Sequence, residues 1–321
     1  MGALYSTSWT TKTEKKTTIP INGYIRTLNC RPSGYSARTQ FLKLDRINSS
    51  VQHDIDLTKS CKMFPVYDQG HLGSCTANGI MGCYKYDVLN SSKTDPDFDK
   101  TFDPSRLYFY YKEREKEGNT GTDAGANIAD GIDVLQTSGV CSEAKWPYKI
   151  EKFADKPSAE CDEEAKHHRS VTSRRVSQSF DDIIACLNAK FPVVFGFAVY
   201  ESFEKIGGDG IVPIPKDSEK ALGGHCVAIY GYDSKRGFKI LNSWGESWGS
   251  SGFAFFPKEY ILNDKLAFDF SVITSIVNEN DELEKHINCA TIDANSRAKA
   301  QTNAEARRTY KQMLLSKQHQ S

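Results

Sequence analysis

Cys75 directly follows Gly73-Ser74 in the stretch YDQGHLGSCTANGIMGCYKYD, residues 67–87, and stands where a helix is about to begin. The thiolate is the nucleophilic form of cysteine, and a helix N-terminus favours it through unpaired N–H groups and the positive end of the peptide dipole. Most free cysteines are small buried hydrophobes, so position alone does not make Cys75 reactive. A base is required, and histidines occur at 53, 71, 167, 168, 225, 286 and 319. His225, in LGGHCVAIYGYD, opens an apolar strand after two glycines that allow close approach, so its ring could be held rigidly. His71 lies in the loop before the helix and reads as a surface residue, and His167-His168 in EEAKHHRS read as a solvated pair among charges. A Cys–His pair that attacks a carbonyl also needs a group to orient the imidazole, and Asn242 in LNSWGESWGSSGF is the candidate.

These residues must be positioned by a fold of adequate size. The chain has 321 residues, 39% hydrophobic and 11% aromatic, enough for one large or two moderate domains. Lys plus Arg and Asp plus Glu both count 41, so no overall field steers the molecule toward nucleic acid or a membrane surface. The amino terminus lacks the apolar run of a secretory signal, and nowhere do eighteen apolar residues stand together; a soluble protein made without Sec targeting is expected. Nine scattered cysteines without a CxxC pair suggest mostly reduced thiols. MGALYS fits the N-myristoylation pattern, with Gly2 as acceptor and Ser6 in place, but short patterns arise by chance and one such chain anchors only weakly.

Residues 1–20 are polar and read as a mobile arm, and residues 21–60 as an extended segment. From Ser74, a good cap, Ala77, Ile80, Met81, Tyr84 and Val88 recur at helical spacing. Gly79 and Gly82 would each weaken an isolated helix by about 1 kcal/mol, which points to close packing against another element. PSRLYFYYKEREKEG, with Pro104 in the first turn and Gly118 at the end, NIADGIDVLQTSG, and DDIIACLNAK behind a Ser179/Asp182 capping box complete a mainly helical first half. After Pro192 come short β-branched and aromatic runs, among them VVFGFAV, HCVAIYGY, FKILNSW, FAFFP and FDFSVITSIV. Residues 278–321 read as a charged tail.

Three signals agree in order. QGHLGSC, GGHCVAIYGY and NSWGESWGSSGF together resemble the papain family of cysteine peptidases, in the cathepsin-like branch of bacteria, protists and large DNA viruses. His225 falls 150 residues after Cys75 and Asn242 falls 167 after it, at or slightly beyond the family's spacing of roughly 130–150. The resemblance spans about residues 25–277. It implies an α+β, papain-like two-domain fold over 61–277, helical over about 61–150 and β-barrel-like over about 170–277, with the site in the cleft between. It also implies Cys75 as nucleophile, His225 as base and then acid, Asn242 as its orienting group, Gln69 with the Cys75 N–H as oxyanion donors, and Trp244 as a shield over the His–Asn bond. Gly125 and Gly224 would contact an extended peptide or protein substrate, and no metal or cofactor is implied. The location would be the cytoplasm, or a virion were the source viral.

Departures are informative. Leu72 stands where many relatives carry a disulfide cysteine, Thr76 replaces the aromatic residue after the nucleophile, and GTDAGANIADGIDVL replaces the usual substrate-binding glycine motif. Such peptidases are usually made as zymogens, and residues 21–60, though without a long amphipathic helix, stand where a propeptide-like cover of the cleft would be. Other readings stay open: a silent peptide-binding or structural relative, an acyl transferase, or a dipeptidyl carboxypeptidase using His167-His168.

Overall fold

The structure is a computed structural model of the chain and describes residues 18–21, 24–33, 41–42, 54–61, 64–93 and 99–276. Gly2, most of the expected arm and the 278–321 tail lie outside these residues.

Helix α1, Cys75–Ser91, is the axis of the molecule. The sequence suggests one apolar stripe, but thirteen of its 17 residues are buried, so the helix is enclosed on nearly every side. Its one buried lysine, Lys85, is accommodated because the ammonium donates to the carbonyls of Lys100 and Phe102. Gly79 supplies the close approach: a Cβ there would lie 3.1 Å from the Cys226 sulfur and 3.4 Å from Val194. Ser74 precedes the helix but does not cap it with its side chain; its hydroxyl is instead 2.6 Å from that of Tyr148 and accepts from Asn78.

Helices α2, Arg106–Glu117, and α3, Ile128–Thr137, pack on α1. Ser105, not the proline, caps α2: its hydroxyl accepts from the Tyr108 N–H at 3.1 Å, while Pro104 lies outside the helix in a bridge to Ser142. Gly118 ends α2 in the left-handed conformation. A short helix that the sequence patterns did not suggest, α4, Ala159–Ala165, follows. Helix α5, Phe180–Asn188, is capped by Ser179, whose hydroxyl accepts from the Asp182 N–H and donates to its carboxylate.

The expected arm already pairs at its end, because Thr18–Ile21 (β1) forms a hairpin with Tyr24–Thr27 (β2). The main sheet is antiparallel, with strands β4 (Ser170–Arg175), β5 (Val193–Tyr200), β6 (Ala221–Asp233), β7 (Gly237–Leu241), β8 (Phe253–Phe256) and β9 (Ala267–Ile276) in the order β4-β9-β5-β6-β7-β8. A two-residue strand, β3 (Ile55–Asp56), is borrowed from the amino-terminal half and pairs with the far end of β6. Helix α1 packs against β5, β6 and β9, so a helical part and a sheet part share one buried core. This is the α+β architecture expected from the sequence.

Candidate active site

Cys75 is the first residue of α1, whose first turn carries no acidic side chain, and its own N–H belongs to the turn that has no intrahelical acceptors. His225 sits on β6 opposite Phe197 of β5, and Asn242 directly follows β7, which pairs with β6. Strand pairing therefore brings residues 17 apart to one place: His225 Nε2 lies 2.8 Å from Asn242 Oδ1. The Ser243 N–H also donates to that oxygen at 2.8 Å, which fixes the amide with its carbonyl toward the imidazole. Oδ1 can only accept, so Nε2 carries a proton and the neutral ring keeps its lone pair on Nδ1. Nδ1 is buried without a hydrogen-bond partner, and the His225 ring lowers the neighbouring Cys75 thiol.

Behind the imidazole the indole of Trp244 stacks at 4.7 Å and 28°, itself fully buried. Phe203 packs edge-on to Trp244 at 5.7 Å, and Trp248 closes the cluster. Phe203 lies in a 3₁₀ turn after β5, and no spacing rule in the sequence singles it out.

Gln69 is fully buried, and hydrogen bonds hold both its backbone and its side chain. Its backbone N–H donates to Ser243 O at 2.8 Å, its Oε1 accepts from Ser243 Oγ at 2.6 Å, and its Nε2 donates to Leu72 O at 2.8 Å. One amide proton remains for another acceptor. Leu72, where a disulfide cysteine would stand, is a core residue, and the eight cysteines among the described residues are all free. Thr76 has its own partner: its hydroxyl donates at 2.9 Å to Glu113 of α2, a carboxyl that burial pushes well above the usual range.

The loop leading to Gly125 is built by buried polar groups. Arg114 donates to Thr120 O at 2.6 Å and Thr122 O at 3.2 Å, and Tyr110 donates to Asp123 at 2.6 Å. The Gly125 N–H donates to Tyr110 Oη, and the carbonyl that accepts from the strap is that of Ala126, one residue beyond the glycine suggested by the sequence. His167 is exposed, while His168 is half-buried and stacked on Phe102 at 3.8 Å, a packing role rather than a solvated one. His71 is exposed, as expected.

Residues 26–33 run along this site as a strap. Arg26 pairs with Asp68 at 2.6 Å and donates to Trp244 O, and Thr27 donates to His71 O at 2.6 Å. The Cys30 N–H donates to Gly224 O at 2.9 Å and the Arg31 N–H to Ala126 O at 3.2 Å. A Cβ on Gly125, whose φ is +70°, would lie 2.3 Å from Asn29 O, so that glycine permits the strap to seat. The Ser33 N–H donates to Asp269 at 2.5 Å. Cys75 is fully buried, and its thiol is pushed well above the ordinary value, first by the Cys30 thiol and then by burial, with His225 acting the other way.

Asp269 of β9 is largely buried, and burial pushes its carboxyl up to about 6. Its folded value exceeds its unfolded one, so the associated stability is present at acid pH and lost as pH rises through about 6. Asp269→Asn is expected to raise stability by about 1–3 kcal/mol at pH 8 and to give no gain near pH 4. Denaturant melts of both proteins at the two pH values test this.

The papain family cysteine protease profile matches residues 51–264. An uncharacterised peptidase C1-like protein of Acanthamoeba polyphaga mimivirus is 37% identical over 71% of this chain and 76% of its own. Xylellain, a cysteine protease from Xylella fastidiosa, is 34% identical, covers 82% of this chain and 98% of its own, and superposes with a TM-score of 0.72. The procathepsin B S9 structure from Trypanosoma congolense, at 16% identity with 77% of this chain and 87% of its own covered and a TM-score of 0.59, shares the fold. The chain belongs to the papain family of cysteine proteases and is a peptidase hydrolase.

Proposed function

We propose that the chain is an endopeptidase that cleaves peptide bonds through an acyl-enzyme on Cys75. The observation that carries this reading is the His225–Asn242 pair, which leaves the Nδ1 lone pair for the Cys75 thiol. His225 accepts the thiol proton, the thiolate attacks the carbonyl, and the imidazolium returns the proton to the leaving amine. Water, activated by the same imidazole, then hydrolyses the thioester. The oxyanion is held by the Cys75 N–H and the free amide proton of Gln69. Trp244 and Phe203 exclude water from the His–Asn bond. Gly224 O and Ala126 O offer acceptors to an extended peptide backbone, a use supported by the strap, whose N–H groups already take both. The same contacts support a latent state in which residues 26–33 exclude substrate.

Gln69→Ala is expected to lower kcat by about 10²–10³ while KM changes far less. Steady-state kinetics, with a thermal melt to confirm the fold, test this. The activity itself is tested on a panel of fluorogenic dipeptide amides under reducing conditions from pH 4 to 8, using the full chain and a form trimmed of residues 1–50. Thiol-dependent turnover in either supports the proposal; silence in both would assign the fold a binding role.

A further inference from the structure

The strap brings a second cysteine to the nucleophile. Cys30 is anchored on both sides, by its own N–H to Gly224 O and by the Arg31 N–H to Ala126 O, with a parallel bridge between Asn29 and Gly224. That anchor pairs Cys30 with the residue one before His225 and two before Cys226, whose sulfur lies against α1 at Gly79; Cys30, Cys75 and Cys226 are all almost wholly buried, and the thiols of Cys75 and Cys226 both act on that of Cys30. Nothing in the proposed peptidase chemistry uses Cys30. A serine or alanine would fill the same backbone position, so the sulfur calls for its own account.

We propose that Cys30 and Cys75 form a reversible disulfide that locks the strap over the active site. The inference rests on Cys75 being the reactive thiol, as argued above. While the strap is seated the pair is inert. The Cys226 thiol and burial push Cys30 up, the Cys30 thiol and burial push Cys75 up, and burial holds Cys226 at about 11, so all three are neutral at pH 7. When the strap lifts, Cys75 is exposed at the helix terminus beside His225, whereas Cys226 stays packed on α1 at Gly79. Exchange therefore begins at Cys75.

With glutathione disulfide as oxidant, the Cys75 thiolate attacks one glutathione sulfur, breaking that S–S bond and releasing one glutathione thiolate, which takes the proton lost by Cys75. The reseated strap then presents Cys30. Its thiolate attacks the Cys75 sulfur of the mixed disulfide, forms the Cys30–Cys75 bond and expels the second glutathione. Two protein thiols are oxidised and one glutathione disulfide is reduced to two thiols. Because Cys30 belongs to the same chain, an effective concentration on the order of millimolar lets it outcompete about 0.1 mM glutathione for the Cys75 sulfur by roughly tenfold.

The test uses the full chain equilibrated with reduced and oxidised glutathione at set ratios, quenched with iodoacetamide and mapped by mass without reduction. A peptide pair joined through Cys30 and Cys75 is expected, with two glutathiones released per protein. Cys30→Ser should stop at a glutathione adduct on Cys75 with one released. In activity assays the oxidised wild type should lose at least about tenfold and recover in dithiothreitol. A Cys30–Cys226 link alone, or a stable glutathione adduct on Cys75 in both proteins at the same ratio, would overturn the proposal. The mapping does not depend on turnover, so a linked but reductively inactive protein would defeat the peptidase reading while leaving the disulfide in place.

Discussion

Cys75→Ala is expected to abolish thiol-dependent hydrolysis, with kcat falling on the order of 10⁶. The reason is that no other described group can take the acyl carbon. Cys30 and Cys226 are the neighbouring thiols, but Cys30 leaves with the strap and Cys226 stays packed against α1 at Gly79. His225→Ala should cost about as much as Cys75→Ala, and the double variant no more than either. The two act as one unit, and the remaining rate comes from binding and the oxyanion donors alone. Both positions are fully buried, so thermal melts must show that the variants fold before the kinetic loss is attributed to chemistry.

Trimming residues 1–50 is expected to speed alkylation of Cys75 by iodoacetamide at least about tenfold, and to move its pH midpoint downward. In the full chain the reagent reaches Cys75 only when the strap opens. Opening breaks the hydrogen bonds to Gly224, Ala126, His71 and Asp269 and the Arg26–Asp68 pair. At about 0.5–1.5 kcal/mol net for each bond, even partial loss corresponds to one or more factors of ten. Trimming stops short of β3, so the strand on β6 is kept. The pH effect has a fixed sign. The seated strap raises the Cys75 thiol through Cys30 and burial, so the closed state binds more protons than the open one. Closure is therefore strongest at acid and neutral pH and weakens as pH rises through the open-state thiol value. An alkylation rate and midpoint equal in both proteins would remove the strap from any inhibitory role.

The site was legible in the sequence wherever chemistry imposes a residue type. Cys75, His225, Asn242, Gln69 and Trp244 come together as the motifs suggested, because the pairing of β6 with β7 and the loop before α1 converge on one point. Legibility failed where neighbours rather than spacing decide. Ser74 has the composition of a cap, but Tyr148 and Asn78 claim its hydroxyl. Gly125 reads from the sequence as a glycine that contacts an extended substrate, but its positive φ serves to admit Asn29 of the strap, whose N–H at Arg31 bonds the Ala126 carbonyl. His168 stacks on an aromatic ring 66 residues earlier in the chain, a contact that a local charge pattern cannot reveal. The strap was the least legible: ARG-THR-LEU-ASN-CYS-ARG at 26–31 has no periodicity, and its conformation follows from partners far away in the sequence.

Covalent catalysis at Cys75 is tested most directly by intact-protein mass spectrometry during turnover of a slow peptide ester. The mechanism predicts a burst of alcohol equal to the number of active sites, with the acyl mass on the protein mapped to Cys75 and decaying at kcat. Hydrolysis without a burst or adduct, or an acyl group borne by another residue, would contradict it.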